Sequence, residues 1–250
     1  NHRVLFRQRW GYKRGKQDAA KFLKYEEDVV EPTYQTLKAE LLDKNIFEPI
    51  AIYAYYPCIS WDNKIYIFDK KYLFNSLEEA KNVPPLSEAI KVLEFPRQKR
   101  KPFRCIADFF ANDRLDVIAF TLASAGLKIS DYERSLYDKG EFTKYYQVHG
   151  LGVELAEALA EVLHKQIRLD LDIVPKEGHT LNDVQMKQYV GCRYSPGYAA
   201  CPDLAMNRDI FDLLNPEEFG IELSETFQMH PEQTTCAIVV THKEANYYNI

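Results

Sequence analysis

The chain has 250 residues, 46% hydrophobic and 28% charged, enough to bury a core without a disulfide or metal staple. Its 32 Lys and Arg against 37 Asp and Glu give a formal charge of −5, which leaves no cationic surplus for a general polyanion binder and argues against nucleic acid as a partner. With 10 glycines, 12 prolines and 13% aromatics it is neither disordered nor low in complexity, and its length suits one domain or a domain with subdomains.

Residues 19–44 place Phe22, Leu23, Val29, Val30, Leu37, Leu41 and Leu42 at three- and four-residue spacings, which predicts a helical segment kinked or split by Pro32. Two short β-branched and aromatic runs, residues 50–56 and 65–68, predict a hairpin through the polar stretch Ser60 to Lys64. Residues 78–92 read as helical around Pro84-Pro85, and Arg97-Gln-Lys-Arg-Lys101 as a solvated basic loop. Residues 103–110 and 117–123 are strand-like, with Asn112-Asp113 as turn material and Asp108 as a carboxylate inside an apolar strand. From Val153 to Arg168 the apolar set Val153, Ala156, Leu159, Ala160, Leu163 and Ile167 keeps the helical period. A second helix follows over 181–189, then a Gly- and Pro-bearing loop over 191–203, a helical turn at 210–214, and strands at 234–241 and 246–250. Hairpins mixed with helices, rather than strict βαβ units, predict an α+β (mixed α/β) fold: a twisted, largely antiparallel sheet with flanking helices.

No stretch reaches the ~18–20 uninterrupted apolar residues of a membrane helix, and Asn1-His2-Arg3 carries neither Met nor an apolar signal core. The expectation is a soluble, trimmed chain with no membrane partner. Cys58, Cys105, Cys192, Cys201 and Cys236 form an odd set without C-x-x-C, several in apolar runs, and read as the reduced thiols of a cytoplasmic protein. There is no G-x-x-x-x-G-K-[ST], no H-E-x-x-H and no G-x-S-x-G, and Gly150-Leu-Gly152 lacks the third glycine of a dinucleotide fingerprint. No histidine pairs with a second His or Cys at a ligand spacing, so no metal site is expected.

The most specific segment is Gly191-Cys-Arg-Tyr-Ser-Pro-Gly-Tyr-Ala-Ala-Cys-Pro202. Its prolines and glycines fix an irregular backbone whose polar groups can face a ligand, and Arg193 offers a fork for a carboxylate. The string from Arg193 to Pro202 closely resembles the R-x-x-P-G-Y-x-x-C-P loop of the activation domain of cobalamin-dependent methionine synthase, a module that binds S-adenosylmethionine. Cys105-Ile-Ala-Asp-Phe109 resembles that family's L-A-D-F strand, Leu155 to Arg168 its L-A-E-A-x-A-E-x-L-H helix, and Leu223 to Met229 with Asn246-Tyr-Tyr248 its closing strands. These pieces keep the family's order across residues 45–250, and Arg9-Trp-Gly-Tyr12 resembles the opening of some members. The division that follows is an N-terminal helical segment, 1–44, packing on an S-adenosylmethionine-binding activation domain, 45–250.

Carried over by position, the resemblance implies that Asp108, Glu157, Arg193, Ser195 with its backbone, Gly197, Tyr198 and Tyr247 line the S-adenosylmethionine groove. Arg193 suits the α-carboxylate, and acids suit the ammonium, the ribose hydroxyls and the neighbourhood of a sulfonium, with either acid on either group. The chain departs from the family at Tyr194 and Ser195, often Pro and Ala, and at Lys187, where some members carry Glu. The implied role is reductive activation: the methyl group is presented to cob(II)alamin on a neighbouring domain or corrinoid protein, with an electron typically from reduced flavodoxin, for methionine biosynthesis. None of the six histidines has Asp two residues before it, so a cobalamin-ligating D-x-H-x-x-G is missing and the chain is expected to be part of a methyltransferase rather than a complete enzyme. A competing reading is a non-catalytic docking or regulatory homologue for a corrinoid protein or flavodoxin. Retention of Asp108, Glu157, Arg193 and Tyr198 together favours the first. An autonomous methyltransferase is disfavoured, since no glycine-rich nucleotide motif or independent base constellation is present.

Overall fold

A computed structural model describes residues 1–173 and 189–250; most of the helix expected over 181–189, and Lys187, lie outside the described residues. The strands are β1 (Ile50–Trp61), β2 (Lys64–Ile67), β3 (Lys91–Glu94), β4 (Asp116–Ser124), β5 (Cys192–Tyr194), β6 (Glu222–Leu223), β7 (Met229–His230) and β8 (Thr234–Val240). Among the described residues six of them form one antiparallel sheet in the order β3-β2-β1-β4-β8-β5, and β6 and β7 pair separately. The helices are α1 (Ala19–Tyr25), α2 (Glu31–Asp43), α3 (Leu127–Asp138), α4 (Phe142–Asp170) and α5 (Met206–Leu214). The fold is α+β, as the sequence predicts.

The pleat of β4 explains how helices cover both faces. Ile118, Phe120 and Leu122 point to one side, where they join Tyr56, Ile65, Ile238 and Val240 and the apolar stripe Ile210, Phe211 and Leu214 of α5. Burying each such side chain contributes ~1.5–3 kcal/mol. Ala119 and Ala123 point to the other side, and their small size lets α4 lie close, with Ala160, Leu163 and Ile167 against the sheet. One long helix is thereby fixed across β4 and β8, with its polar positions held toward β5.

Several elements differ from the sequence expectation. The β1–β2 turn is the tight pair Asp62-Asn63 rather than all of 60–64, with Trp61 paired to Lys64. Residues 78–92 are not one helix: Leu77–Ala80 is a single turn capped by Ser76, Leu86–Glu88 a 3-10 turn, and β3 begins at Lys91. Residues 103–110 are not a strand. Ile106–Phe109 is a 3-10 turn, because the Asp108 carboxylate accepts the Cys105 N–H at 2.9 Å and closes the chain locally. Residues 246–250 form no strand, and α5 begins four residues before the expected turn. Pro32 does split its helix: a π-helical turn, Glu26–Val30, separates α1 from α2, which carries the proline in its first turn, where a missing N–H is tolerated.

The N-terminal residues Leu5, Phe6, Trp10, Val30, Leu37 and Leu41 share a second core with Ile129 and Leu136 of α3 and Val148 of α4. Gly150 and Gly152 serve this packing. A Cβ on Gly150 would lie 3.0 Å from Trp10 Cδ1, and one on Gly152 2.4 Å from Ile129 Cδ1. Nearby, the buried Glu133 carboxylate accepts from Gln233 Nε2 at 2.8 Å and faces His149 Nδ1 at 3.3 Å. The hydrogen bond to Glu133 raises the His149 pKa above its ordinary 6.5 despite partial burial. A pKa raised in the folded state stabilises below the unfolded value and loses that contribution as pH climbs through the folded one. Melting temperature should therefore fall as pH rises above 6.5, and His149→Gln should remove that part of the decline in thermal melts across the same range.

Candidate functional site

β5 pairs only with β8 among the described residues, placing Arg193 opposite Val239 at the sheet's edge. Alternation sends Cys192 and Tyr194 into the core below and Arg193 to the opposite face, against α4. There Arg193 Nη2 donates to Glu161 Oε1 at 2.8 Å, while Arg193 Nη1 is buried without a hydrogen-bond partner among the described residues. Glu161, His164 and Arg168 follow at three- and four-residue steps and so share one stripe of α4. Tyr189 meets all three: its hydroxyl donates to Glu161 Oε2 at 3.2 Å, its ring lies edge-on to His164 at 5.1 Å, and the Arg168 guanidinium sits 4.1 Å from its centroid. Burial, reinforced by the positive charges of Arg168 and Arg193, drops the His164 pKa to about 2, so its imidazole is neutral.

Past Arg193 the chain enters a tight turn. Gly197 has φ +88°, a conformation open to glycine at no steric cost; its N–H donates to Cys201 O at 2.8 Å and the Cys201 N–H to Tyr198 O at 2.9 Å. The Gly197 amide is therefore consumed inside the loop rather than offered to a ligand. The turn leaves Tyr198 67% exposed. It forms one wall of a cleft of about 350 Å³ that Tyr194, Ser195, Tyr198, Tyr247 and Tyr248 also line. The C-terminal segment closes the other wall. Tyr194 OH donates to Asn246 O at 2.8 Å, Arg104 Nη1 to Asn246 Oδ1 at 2.9 Å, and Gln98 Nε2 to Asn249 O at 2.6 Å. Tyr194 is 1% exposed, and its ring centroid lies 6.0 Å from that of Tyr247.

Of the seven residues singled out in the sequence, Ser195, Tyr198 and Tyr247 line this cleft directly. Arg193 and Glu157 do not line it, but both act on Tyr247, which does: loss of solvent around that phenol raises its pKa to about 12, with Arg193 opposing and Glu157 adding to the rise. Glu157 is half-buried on α4, one turn before Glu161. Asp108 does not line the cleft either; its charge acts on Tyr248, whose buried hydroxyl has no hydrogen-bond partner among the described residues.

Asp108 is held tightly. Arg97 donates Nη1 to its Oδ2 at 2.7 Å and Nη2 to its Oδ1 at 2.6 Å, and also donates Nε to Asn63 Oδ1 at 3.0 Å. Arg97 is thus the orienting partner of Asp108, not merely a member of a solvated basic loop. Arg97, Glu161, Arg168 and Tyr248 are the site neighbours that sequence reading misses; only Glu161, four positions from Glu157 on the same helical stripe, carried a usable signal. All five cysteines are buried, and burial raises the Cys201 and Cys236 thiols to about 12, so those two are packing groups rather than nucleophiles.

A family profile described as vitamin B12 dependent methionine synthase, activation domain, matches residues 4–250. The chain belongs to this family. The activation domain is 35% identical over 268 aligned positions to methionine synthase of Mycobacterium tuberculosis (strain ATCC 25618 / H37Rv), an alignment covering 100% of this chain and 21% of that protein. It is 37% identical over 212 positions to methionine synthase of Mycobacterium leprae (strain TN), covering 80% of this chain and 17% of the relative. It thus spans about a fifth of the length of the methionine synthases it matches. Its fold is shared with a solved MetH reactivation domain bound to AdoHcy, with TM-score 0.75 and 24% identity over 90% of this chain and 71% of that one.

Proposed function

We propose that this activation domain binds S-adenosylmethionine in the cleft between the Ser195–Cys201 turn and the C-terminal tyrosines, and presents its methyl group to cob(II)alamin held by another domain or protein. The observation that carries the reading is the buried Nη1 of Arg193, without a hydrogen-bond partner among the described residues, in the family-motif loop whose next residues, Tyr194 and Ser195, line a tyrosine-walled cleft. A ligand with one carboxylate, one ammonium and one flat adenine suits that arrangement: Arg193 takes the carboxylate, Asp108 and Glu157 answer the cationic groups, and tyrosine faces receive the adenosine. The similar solved structure is of a reactivation domain bound to AdoHcy, which is S-adenosylmethionine without its transferable methyl group.

Bound S-adenosylmethionine supplies an electrophilic methyl on a sulfonium; with one electron from a donor such as reduced flavodoxin, its transfer turns cob(II)alamin into methylcobalamin and leaves S-adenosylhomocysteine. The residues of this chain hold the ligand, orient the sulfonium toward the cleft mouth and exclude water. In this reading residues 45–250 carry the ligand site, residues 1–44 brace α3 and α4, and the buried thiols fit a cytoplasmic setting. No helix among the described residues is long and apolar enough to cross a membrane.

The test mixes the chain with a cob(II)alamin-bearing domain, S-adenosylmethionine and a low-potential reductant, and follows the corrin absorption spectrum. Methylcobalamin should form only when all are present, and disruption of the Tyr198 turn should abolish it. Docking onto the corrinoid domain with no response to S-adenosylmethionine would favour the non-catalytic docking protein instead.

A further inference from the structure

Behind Arg193 the seam between β5 and α4 is short of negative charge. Arg168 is completely buried, and its Nε, Nη1 and Nη2 have no hydrogen-bond partner among the described residues; the same is true of both ring nitrogens of His164. The groups that act on Arg168 are the Tyr189 ring, Glu161 and Arg193, and those that act on Arg193 are Glu161, Tyr189 and Tyr247. With His164 and the tyrosines neutral, two guanidinium charges face one carboxylate among the described residues. Glu161 is already shared between Arg193 Nη2 and the Tyr189 hydroxyl. A buried charge without a counterpart is strongly disfavoured, and a second carboxylate brought to Arg193 Nη1 would restore the balance.

We propose that Glu161 and Arg168 are positioning residues of the carboxylate seat at Arg193: Glu161 turns the guanidinium so that Nη1 stays open, and Arg168 supplies the unbalanced positive charge that makes the seat select ligands carrying a free carboxylate. This rests on the reading that Arg193 meets the carboxylate of an S-adenosyl ligand. Glu161 and Arg168 touch no reacting atom. Their effect should therefore appear as discrimination between ligands with and without the amino-acid tail.

Calorimetric titration compares S-adenosylhomocysteine with 5′-methylthioadenosine, which keeps adenosine and sulfur but has no carboxylate. Arg168→Met through lost charge, and Glu161→Gln through lost orientation that outweighs the positive charge it frees, should each weaken S-adenosylhomocysteine about tenfold or more, the scale of one hydrogen bond to a charged group, and leave methylthioadenosine nearly unchanged. Arg168→Lys, which keeps the charge, should recover part of the loss, and Glu161→Gln should add little in an Arg193→Ala background. Equal losses for both ligands would reduce the two residues to structural supports, and full affinity in both variants would overturn the proposal. Arg193→Ala alone reports on the underlying reading: if it leaves S-adenosylhomocysteine unaffected, the carboxylate lies elsewhere. Should a variant fail to fold, the unaltered protein still decides, because the seat must prefer S-adenosylhomocysteine over its neutral carboxamide, and equal affinity for the two would refute selection by charge.

Discussion

Arg193→Ala should lower affinity for S-adenosylmethionine by about 30- to 1,000-fold, the ~2–4 kcal/mol expected when a buried charge-assisted pair is broken. The size of the effect follows from burial. The Arg193 side chain is 13% exposed and its Nη1 has no acceptor among the described residues, so a ligand carboxylate there would exchange little water for a direct charged contact. The substitution also strips Glu161 of a bond at 2.8 Å, leaving a partly buried carboxylate with Tyr189 as its hydrogen-bond partner among the described residues. Isothermal titration of both proteins, with melts to confirm folding, measures the loss. Unchanged affinity would remove Arg193 from the site.

Much of this architecture is legible in the sequence because it obeys a period. α4 keeps its apolar residues on the helical repeat, and the β1–β2 hairpin announces itself by two β-branched, aromatic runs around Asp62-Asn63. α3 goes unread because Ile129, Glu133 and Leu136 on its buried face are diluted by polar residues, and a buried glutamate looks like a solvated one until Gln233 and His149 are brought to it. The strand readings of 103–110 and 246–250 fail for one reason. Aromatic and apolar content signals burial, not extension, and where Asp108 offers its carboxylate to a nearby N–H, or Asn246 its carbonyl to Tyr194, the backbone needs no ladder there.

The site divides in the same way. The loop beginning at Arg193 is legible because its prolines and glycines stand adjacent in sequence. The partners that orient its charged groups are not. Arg97 reaches Asp108 across eleven positions and Glu161 reaches Arg193 across thirty-two, so each pair exists only after the chain has folded. Arg168 looks like any arginine near the end of an amphipathic helix, and only its complete burial without an acceptor among the described residues sets it apart.

Gly191→Ala should be the most disruptive single methyl addition around the loop. Gly191 sits at φ +95°, and an added Cβ would stand 2.6 Å from Val240 O and 3.2 Å from His164 Nε2. The first obstacle is backbone of β8, which cannot rotate away, so either β5 leaves its partner or the φ angle changes. Conformational strain alone is of order 1–3 kcal/mol, and the clash adds to it. At roughly 2–4 °C per kcal/mol for a chain of this size, the melting temperature should fall by several degrees to more than 10 °C. Gly11→Ala is the control: its φ of +76° imposes comparable strain, but nothing lies within 4 Å of the added Cβ. If steric contact with β8 holds the loop in place, Gly191→Ala should melt well below Gly11→Ala and lose S-adenosylmethionine binding with it, because Arg193 lies two residues along the displaced strand. Equal melting temperatures for the two variants would show that backbone conformation alone, and not the approach of β8, sets the position of the seat.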